Sequence, residues 1–581
     1  MAITAESTGK ASLVEEPKRL GVRKYSADIS AVGEPWLWGL GGALALGIIL
    51  VAGFLTMIFW NGASTFWPKP IHLVTLTDGS VVAGEPTRSS VYRVSEAIRE
   101  QLGETANAMI DEGDGFARRV LYRSANFDLY GDDFRWVSEY EVERIETPAD
   151  FFLLERQEWG PFVGRILKVH FDGEEIAADK LSYGQLRRYQ DQARDRFHEI
   201  RHIEQKDIGA VNYYIERQRL GLRKVQLRHG DDSPEYAAAA ARTNARIAEL
   251  EAEFAGYQAR IAEIRERDRK DRFLLEEVGG RTKDQLMSEV VRLYPANDLS
   301  FGQKVGIYLS RWWEFLSSEP REANMEGGVL PAIFGTVAMT LIMVVIVAPF
   351  GVVTALYLRE YAKQGKIVSI VRVSVNNLAG VPSIVFGVFG LGFFAYTMGV
   401  TIDQLFYPER LPSPTFGTGG ILWASLTLAL LTVPVVIVAA EEALSAVPRS
   451  MREGSLACGA SKWQTIRRVV LPRAMPGIMT GLILAMARGA GEVAPLMLIG
   501  VVKLAPMLPI DTFPPFVHLE RSFMHLGFHI YDVGFQSRNS EAGKPMVYVT
   551  TMLLLFLIVA MNSSAIYIRN RLKRKFAVGQ F

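Results

Sequence analysis

The chain has 581 residues, with 64 Lys and Arg against 63 Asp and Glu and a hydrophobic fraction of 49%. The net charge of +1 conceals a division, because long uncharged apolar runs alternate with one densely charged block. A single cysteine, Cys458, excludes a disulfide framework and reads as one more small residue among its neighbours.

The N-terminal stretch to residue 35 carries Lys10, Lys18, Arg19, Arg23 and Lys24 and reads as a cytoplasmic tail. The apolar run from Trp36 to Trp60 is too long for the core of a signal peptide, and no small-residue cleavage site follows. It is expected to be a retained first span, 36–60, with Trp36, Trp38, Trp60 and Trp67 at its two interfaces.

Residues 61–325 then leave the apolar pattern. Short alternating segments such as Val74-Thr75-Leu76 before Asp78-Gly79, and Ile166 to Phe171, predict a β-rich base over about 61–180. From about 183 to 275 the period becomes helical. Ile247, Leu250, Phe254, Tyr257, Ile261 and Ile264 form a heptad seam, and Ile208, Val211, Ile215 and Leu222 have compatible spacing. The turn chemistry of His229 to Pro234 between them predicts an antiparallel coiled-coil hairpin. Acids and bases alternate along it, which is the pattern of a solvated helix surface and not of a nucleic-acid site. A sharper reading makes the hairpin a dock for a substrate-binding protein or a neighbouring subunit. His170, His198, His202 and His229 are scattered through the region without metal-ligand spacing beyond a weak i,i+4 pair. Residues 301–316, with Val305, Tyr308, Leu309, Trp312, Trp313 and Phe315, predict an amphipathic helix lying on a membrane surface.

Five more runs are long enough to cross a hydrocarbon core of about 30 Å: 329–358, 378–400, 419–440, 475–502 and 546–568. The basic residues of the short connections set the orientation. Arg359, Lys363, Lys366 and Arg372 follow the second span, six Lys or Arg lie between Arg449 and Arg473, and Arg569, Arg571, Lys573, Arg574 and Lys575 close the chain, with 570–581 as its basic tail. The short alternate connections are poorer, with only Arg410 in one and Lys503, Arg521, Arg538 and Lys544 spread through the other, so both termini are expected in the cytoplasm and 61–325 outside it.

Of the six spans only the fifth, 475–502, contains charge. Arg488 falls near its middle and Glu492 one helical turn later, and charges at such depth face a protein interior or an aqueous path. They are either a pair that keeps both groups tolerable or a binding site for an anion, which an arginine fork suits by donating two hydrogen bonds at any ordinary pH. Arg before Glu is the weaker order for an i,i+4 pair, which counts against a purely structural role. Gly489, Gly491 and Pro495 predict a loosened backbone here. A second polar lining is the start of the third span, where Asn376, Asn377 and Ser383 flank Gly380 and Pro382. A capped and kinked helix start explains these residues equally well.

The loop 441–474 has the most particular spacing. Glu453 is followed by Gly454 and Ser455, then Gly459 six positions after the carboxylate, then Val469, Leu471 and Pro472. This resembles the E-A-A-x3-G-x9-I-x-L-P signature of bacterial ABC importer permeases: a short helix, a glycine turn and a second helix that a cytosolic ATPase grips. Ala457, Ala460 and Trp463 lie in the same surface. Together with VNNLAGVPSIVFGVFGLGFF and ARGAGEVAPLML, the loop resembles the PstA permease family of phosphate ABC importers, over the first span and from about Gly327 to the C-terminus.

The resemblance implies a polytopic α-helical protein of the bacterial inner membrane, with the six-span type I permease fold over 326–569 and an α+β extracytoplasmic insert foreign to that family's compact form. It implies a PstC-type permease partner, two PstB-type ATPase subunits that hold the ATP and magnesium, and a PstS-type phosphate-binding protein outside. Arg488 and Glu492 match the family's intramembrane pair. The chain itself has no G-x4-G-K-[ST] phosphate loop and is expected to bind no cofactor, metal or nucleic acid and to catalyse nothing. Its remaining contact is membrane lipid. The competing expectations are a permease for sulfate or molybdate, a PstC-like sister subunit, a receptor or scaffold working through the insert, and an enzyme with a membrane anchor.

Overall fold

Backbone groups inside a bilayer must satisfy one another, so apolar runs without charge fold as helices. A computed structural model describes residues 35–505, 507–537 and 539–577. The expected tail up to residue 34, Arg538 and residues 578–581 lie outside the described residues. Among the described residues six helices are long and apolar enough to cross a membrane: Trp38–Ser64, Leu330–Tyr361, Ser383–Phe406, Ile421–Ser445, Lys462–Gly491 and Ser540–Arg574.

Residues up to Met57 form one unit and those from Ile58 onward another. The first unit contains most of helix α1 (Pro35–Ser64), whose Leu44, Ile48 and Phe54 are exposed apolar side chains.

In the second unit, strands β1 (His72–Leu76), β2 (Val81–Arg93), β3 (Phe116–Arg123), β4 (Phe134–Ser138) and β5 (Val142–Glu146) make an antiparallel sheet in the order β4-β3-β2-β1-β5. Strands β6 (Phe152–Arg156), β7 (Phe162–Phe171) and β8 (Glu174–Ala177) begin a second sheet. Its other strands arrive only after the helical hairpin: β9 (Arg272–Glu276) pairs with β7, β10 (Thr282–Leu286) with β9, and β11 (Val290–Pro295) with β6. The base therefore does not end near residue 180 but is completed by 272–295, because β7 and β6 each still have a free edge for a strand more than a hundred residues later. Asn297 closes the region by accepting the Ile71 N–H at 2.9 Å and donating to the Ile71 carbonyl at 2.9 Å.

The hairpin has one arm of α2 (Tyr183–His202) and α3 (Ile208–His229), joined through a wider helical turn, and a second arm of α4 (Pro234–Asp268). Ser182 and Gln185 cap α2 reciprocally, and Ser233 accepts the Tyr236 N–H at the start of α4. Ile200 and Ile203 pack on Ile261 and Ile264, with Arg260–Glu199 at 2.6 Å and Arg265–Glu204 at 2.9 Å beside them.

Helix α5 (Phe301–Ser317) joins the base to the spans. Its Arg311 donates to Glu155 at 2.7 Å and to the Phe66 carbonyl at 3.0 Å, while Tyr308 donates to the Ala63 carbonyl at 3.0 Å. Arg292 bridges Glu155 and Glu314, and Arg321 holds Glu314 at 2.5 Å. Burial alone would raise the Glu155 carboxyl, but Arg292, Arg311 and Arg321 around it bring it down to about 2. Phe301, Leu309, Trp313 and Leu316 are left exposed on one face of α5.

The spans centre on α9 (Ile421–Ser445), whose most apolar stretch is 67% buried. It packs between α6 (Leu330–Leu356), through Met339, Met343 and Val347, and α12 (Leu471–Gly491), through Ile478, Leu482 and Ala485. Ala424, Ala429, Ala440 and Ala474 keep the packed surfaces low, since helices in lipid associate by close approach. Ser425, Thr427 and Thr432 return their hydroxyls to carbonyls one turn back at 2.7, 2.8 and 2.8 Å, so these three buried groups are satisfied within their own helix.

Two spans depart from the sequence expectation. The third does not begin at residue 378: α7 (Lys366–Leu378) stops there, residues 379–382 turn, and α8 (Ser383–Phe389) starts after Pro382. The fifth does not continue to 502 but ends at Gly491, with Glu492 already extended at φ −78° and ψ 130°. At the first break Pro382 disfavours helix at Val381, and at the second Pro495 has no N–H to give the Gly491 carbonyl four residues back. Charge is also not confined to the fifth span. Asp403, near the end of the third, is buried and accepts the N–H groups of Phe416 and Gly417 at 2.9 and 2.6 Å.

Candidate functional site

Arg488 lies in the last turn of α12 rather than mid-helix, and Glu492 is the residue that ends the helix. The Arg488 Nε to Glu492 Oε1 distance is 3.5 Å, longer than a well-formed charge-assisted hydrogen bond. Both side chains are part-exposed, at 37% and 21%, so the arginine fork retains donors that its neighbour does not consume. Past the pair, Val493 and Ala494 lead through Pro495 into a short turn at Leu496–Leu498. Irregular backbone at such a position is tolerated where it is buried in protein or lines a wet path.

The third span meets this break directly. A Cβ on Gly387 would stand 2.7 Å from Pro495 Cα and 2.9 Å from its carbonyl oxygen, so only glycine lets α8 come this close. Ser383 is one turn before Gly387 and half-buried. Asn376 and Asn377 lie at the exposed end of α7, where their carbonyls accept the Ala379 and Gly380 N–H groups, and no hydrogen bond joins their side chains to Arg488 or Glu492 among the described residues. The structure thus brings Arg488, Glu492 and the Ser383 helix to one locality and leaves the two asparagines to a helix end.

A segment that sequence reasoning missed supports the same locality. Helix α13 (Leu526–Tyr531) follows a chain reversal in which the Leu526 N–H donates to Thr336 Oγ1 on α6 at 2.9 Å. His525 and His529, fully buried, flank its start and middle, and a Cβ on Gly527 would meet Val493 beside the broken end of the fifth span. Two histidines four apart in an otherwise apolar stretch were the only signal.

The second candidate surface is the loop before α12. Helix α10 (Arg449–Ala457) runs to Gly459, which sits at φ +85°, a region L side chains avoid, and α11 (Lys462–Thr465) begins after Ser461. Ser461 and Gln464 cap each other's backbone at 2.8 and 3.2 Å, and Ser455 Oγ to Thr465 Oγ1 at 2.9 Å ties the two helices together. Arg452 anchors the loop inward, to Glu360 at 3.0 Å and to the Leu444 carbonyl at 2.7 Å. Glu453, Gly454, Ala457, Gly459 and Trp463 are exposed, Ser455, Ala460, Leu471 and Pro472 are half-buried, and nothing lies within 4 Å of where a Cβ on Gly454 would be. The result is an exposed patch with Trp463 at one edge and small residues beside it.

Residues 347–574 match the family described as binding-protein-dependent transport system inner membrane component. The chain is 36% identical over 205 residues to the probable ABC transporter permease protein YqgH of Bacillus subtilis, covering 34% of this chain and 62% of that protein. It is 33% identical over 261 residues to the phosphate transport system permease protein PstA 1 of Mycobacterium tuberculosis, covering 45% of this chain and 76% of that one. Among solved structures, an inward-facing MetNI methionine ABC transporter aligns over 42% of this chain and 95% of its own with 19% identity and a TM-score of 0.32. The chain belongs to the family of binding-protein-dependent transport system inner membrane components, among the PstA-type permeases.

Proposed function

We propose that the chain is the PstA-type subunit of an ATP-driven phosphate importer in the bacterial inner membrane, forming part of the anion path and coupling it to cytosolic ATPases. The observation that carries this reading is the Arg488–Glu492 pair at the broken end of the fifth span, where a part-exposed guanidinium is only loosely engaged by its carboxylate. A tetrahedral oxyanion takes two donors from such a fork, and Glu492 offsets enough of the charge to let the anion leave again. The name of the Mycobacterium tuberculosis relative supports phosphate as that anion.

In this reading the partners are a PstC-type permease, two PstB-type ATPases holding ATP and magnesium, and a PstS-type binding protein, while this chain holds no cofactor. The termini and the loop Glu453–Pro472 face the cytosol, as the distribution of Lys and Arg favours. The region 61–325 is an extracytoplasmic α+β insert with a coiled-coil hairpin, and the exposed apolar face of α5 rests on lipid. ATP-driven closure of the ATPases pulls the α10–α11 patch and opens the path outward, and hydrolysis reverses it. The patch couples the two events because its contacts differ between the two states.

The test is phosphate uptake by the assembled complex with Arg488→Ala or Glu492→Gln, with ATP hydrolysis measured alongside and sulfate and molybdate as competitors. A lost hydrogen bond to a charged group is worth about 1.5–3 kcal/mol, so Arg488→Ala is expected to lower uptake about tenfold to a hundredfold at unchanged assembly. Normal uptake in both variants sinks the site, and strong competition by sulfate reassigns the substrate.

A further inference from the structure

The hairpin of the insert is not evenly charged. Its α4 arm pairs its bases with acids, as in Arg246–Glu249, Arg265–Glu204 and Arg267–Glu263. Helix α3 is different from residue 216 onward: Arg217, Arg219, Arg223, Lys224 and Arg228 face a single acid, Glu216, and all six are exposed. Among the described residues the four arginines have no ion-pair partner. Alternation of signs, which makes a solvated surface a sufficient explanation for the rest of the hairpin, fails here.

The position of this helix is equally specific. Tyr213 stacks on Phe513 at 4.4 Å and donates to the Pro514 carbonyl at 3.1 Å, in the connection between the fifth and sixth spans. Lys224 lies 3.8 Å from Glu409, in the connection between the third and fourth. Residues 213, 217, 224 and 228 are spaced 4, 7 and 4 and share one stripe of the helix. The stripe that touches both connections therefore also carries Arg217 and Arg228, which are left without partners beside them. Phe516 and Val517, exposed at 56% and 48% in the same turn as Phe513, add an apolar patch next to the row.

We infer that Arg217 and Arg228 on this stripe of α3, with the adjoining Phe516–Val517 turn, form a docking surface for the acidic face of the soluble substrate-binding protein that feeds this permease, while Tyr213 and Lys224 hold the helix in place. The inference rests on the proposed orientation, which puts these connections outside. Arg217 and Arg228 lie roughly 16 Å apart along the helix at about 1.5 Å per residue, farther than one oxyanion can bridge, so a small anion accounts for no more than one of them. Arginine and tyrosine beside exposed apolar groups are the mixture found at protein interfaces. A basic row facing an acidic partner accelerates encounter and sets its register more than it deepens affinity.

The test uses the full chain assembled with its partner subunits in lipid nanodiscs, and the phosphate-loaded binding protein of the same bacterium as probe. Arg217→Glu with Arg228→Glu is compared with Arg219→Glu with Arg223→Glu on the other side of the helix, at low and high salt. The expected result is an affinity about tenfold weaker and a flatter salt dependence for the first pair only, at unchanged maximal ATPase rate. Arg217→Gln with Arg228→Gln is expected to fall between, which separates lost attraction from added repulsion. Equal losses for both pairs, no loss for the first, or a first-pair defect seen only with vesicles of anionic lipid or with free phosphate overturns the inference. Salt-independent binding by the unmodified complex overturns it without any variant. Since binding is read apart from transport, failure of the Arg488 test leaves this result standing, and the reverse holds too.

Discussion

Glu155 in the insert and Arg488 in the fifth span both sit where charge is costly, and the two regions meet that cost in opposite ways. Glu155 is enclosed by Arg292 and Arg311, which reach on to Glu314, Tyr294 and the Phe66 carbonyl, so each charge answers another. Arg488 has one carboxylate at 3.5 Å and part of its surface open. A closed network holds a structure together, and an open pair leaves capacity for a ligand. The informative quantity is thus not how many charges a region has but which of them remain unanswered.

The largest expected effect that sharpens this contrast is Glu155→Ala. It strands Arg292 and Arg311 in a buried site and is expected to cost about 3–5 kcal/mol, read as a fall in the unfolding temperature and faster proteolysis of 61–325 in the full chain. Arg488→Ala is expected to leave both readouts nearly unchanged. A comparable loss of stability there would make the Arg488–Glu492 pair structural and dissolve the contrast.

Acid provides a second probe. The Glu155 carboxyl is lowered from its ordinary 4.5 to about 2, so its stabilising contribution is complete above about pH 4.5 and lost as pH falls toward 2. Proteolysis of the insert is expected to accelerate across that window, and less so in Glu155→Gln, where nothing remains to be protonated. Smaller still is Gly459→Ala, which forces a side chain into φ +85° and is expected to cost about 1 kcal/mol locally, seen as ATP hydrolysis that no longer tracks uptake. Least of all, Arg246→Ala removes an exposed pair with Glu249 and is expected to change stability by less than about 0.5 kcal/mol.

The spans were legible because hydrophobic length is a composition signal, and the α10–Gly459–α11 turn because its spacing is local. What escaped is non-local or concerns backbone breaks. Hydropathy continues smoothly through Ala490 to Val502, so the end of the fifth helix at Gly491 is visible only once Pro495 and the packing of Gly387 against it are considered together. The pairing of β9 with β7 joins segments about a hundred residues apart. Helix α13 is six residues long, too short for a period to show, and its anchor on Thr336 spans 190 positions. Asn376 and Asn377 close α7 through their backbone carbonyls, which any residue supplies, so their side-chain chemistry is not accounted for by the helix end. The basic run of α3 was in plain view, but its meaning depends on Phe513 and Glu409, which only the fold brings to it.

The Asn297–Ile71 clip has a consequence for how such a chain is assembled. One side chain receives and returns both backbone bonds of Ile71, so the chain leaves the permease and comes back to it at a single point. Everything from residue 72 to 296 is strung between these two adjacent ends, and further ties such as Arg88–Glu541, Arg123–Glu326 and Tyr213–Phe513 hold it against the rest of the chain. A short linker between its two ends closes the chain across the gap, at the loss of those further ties.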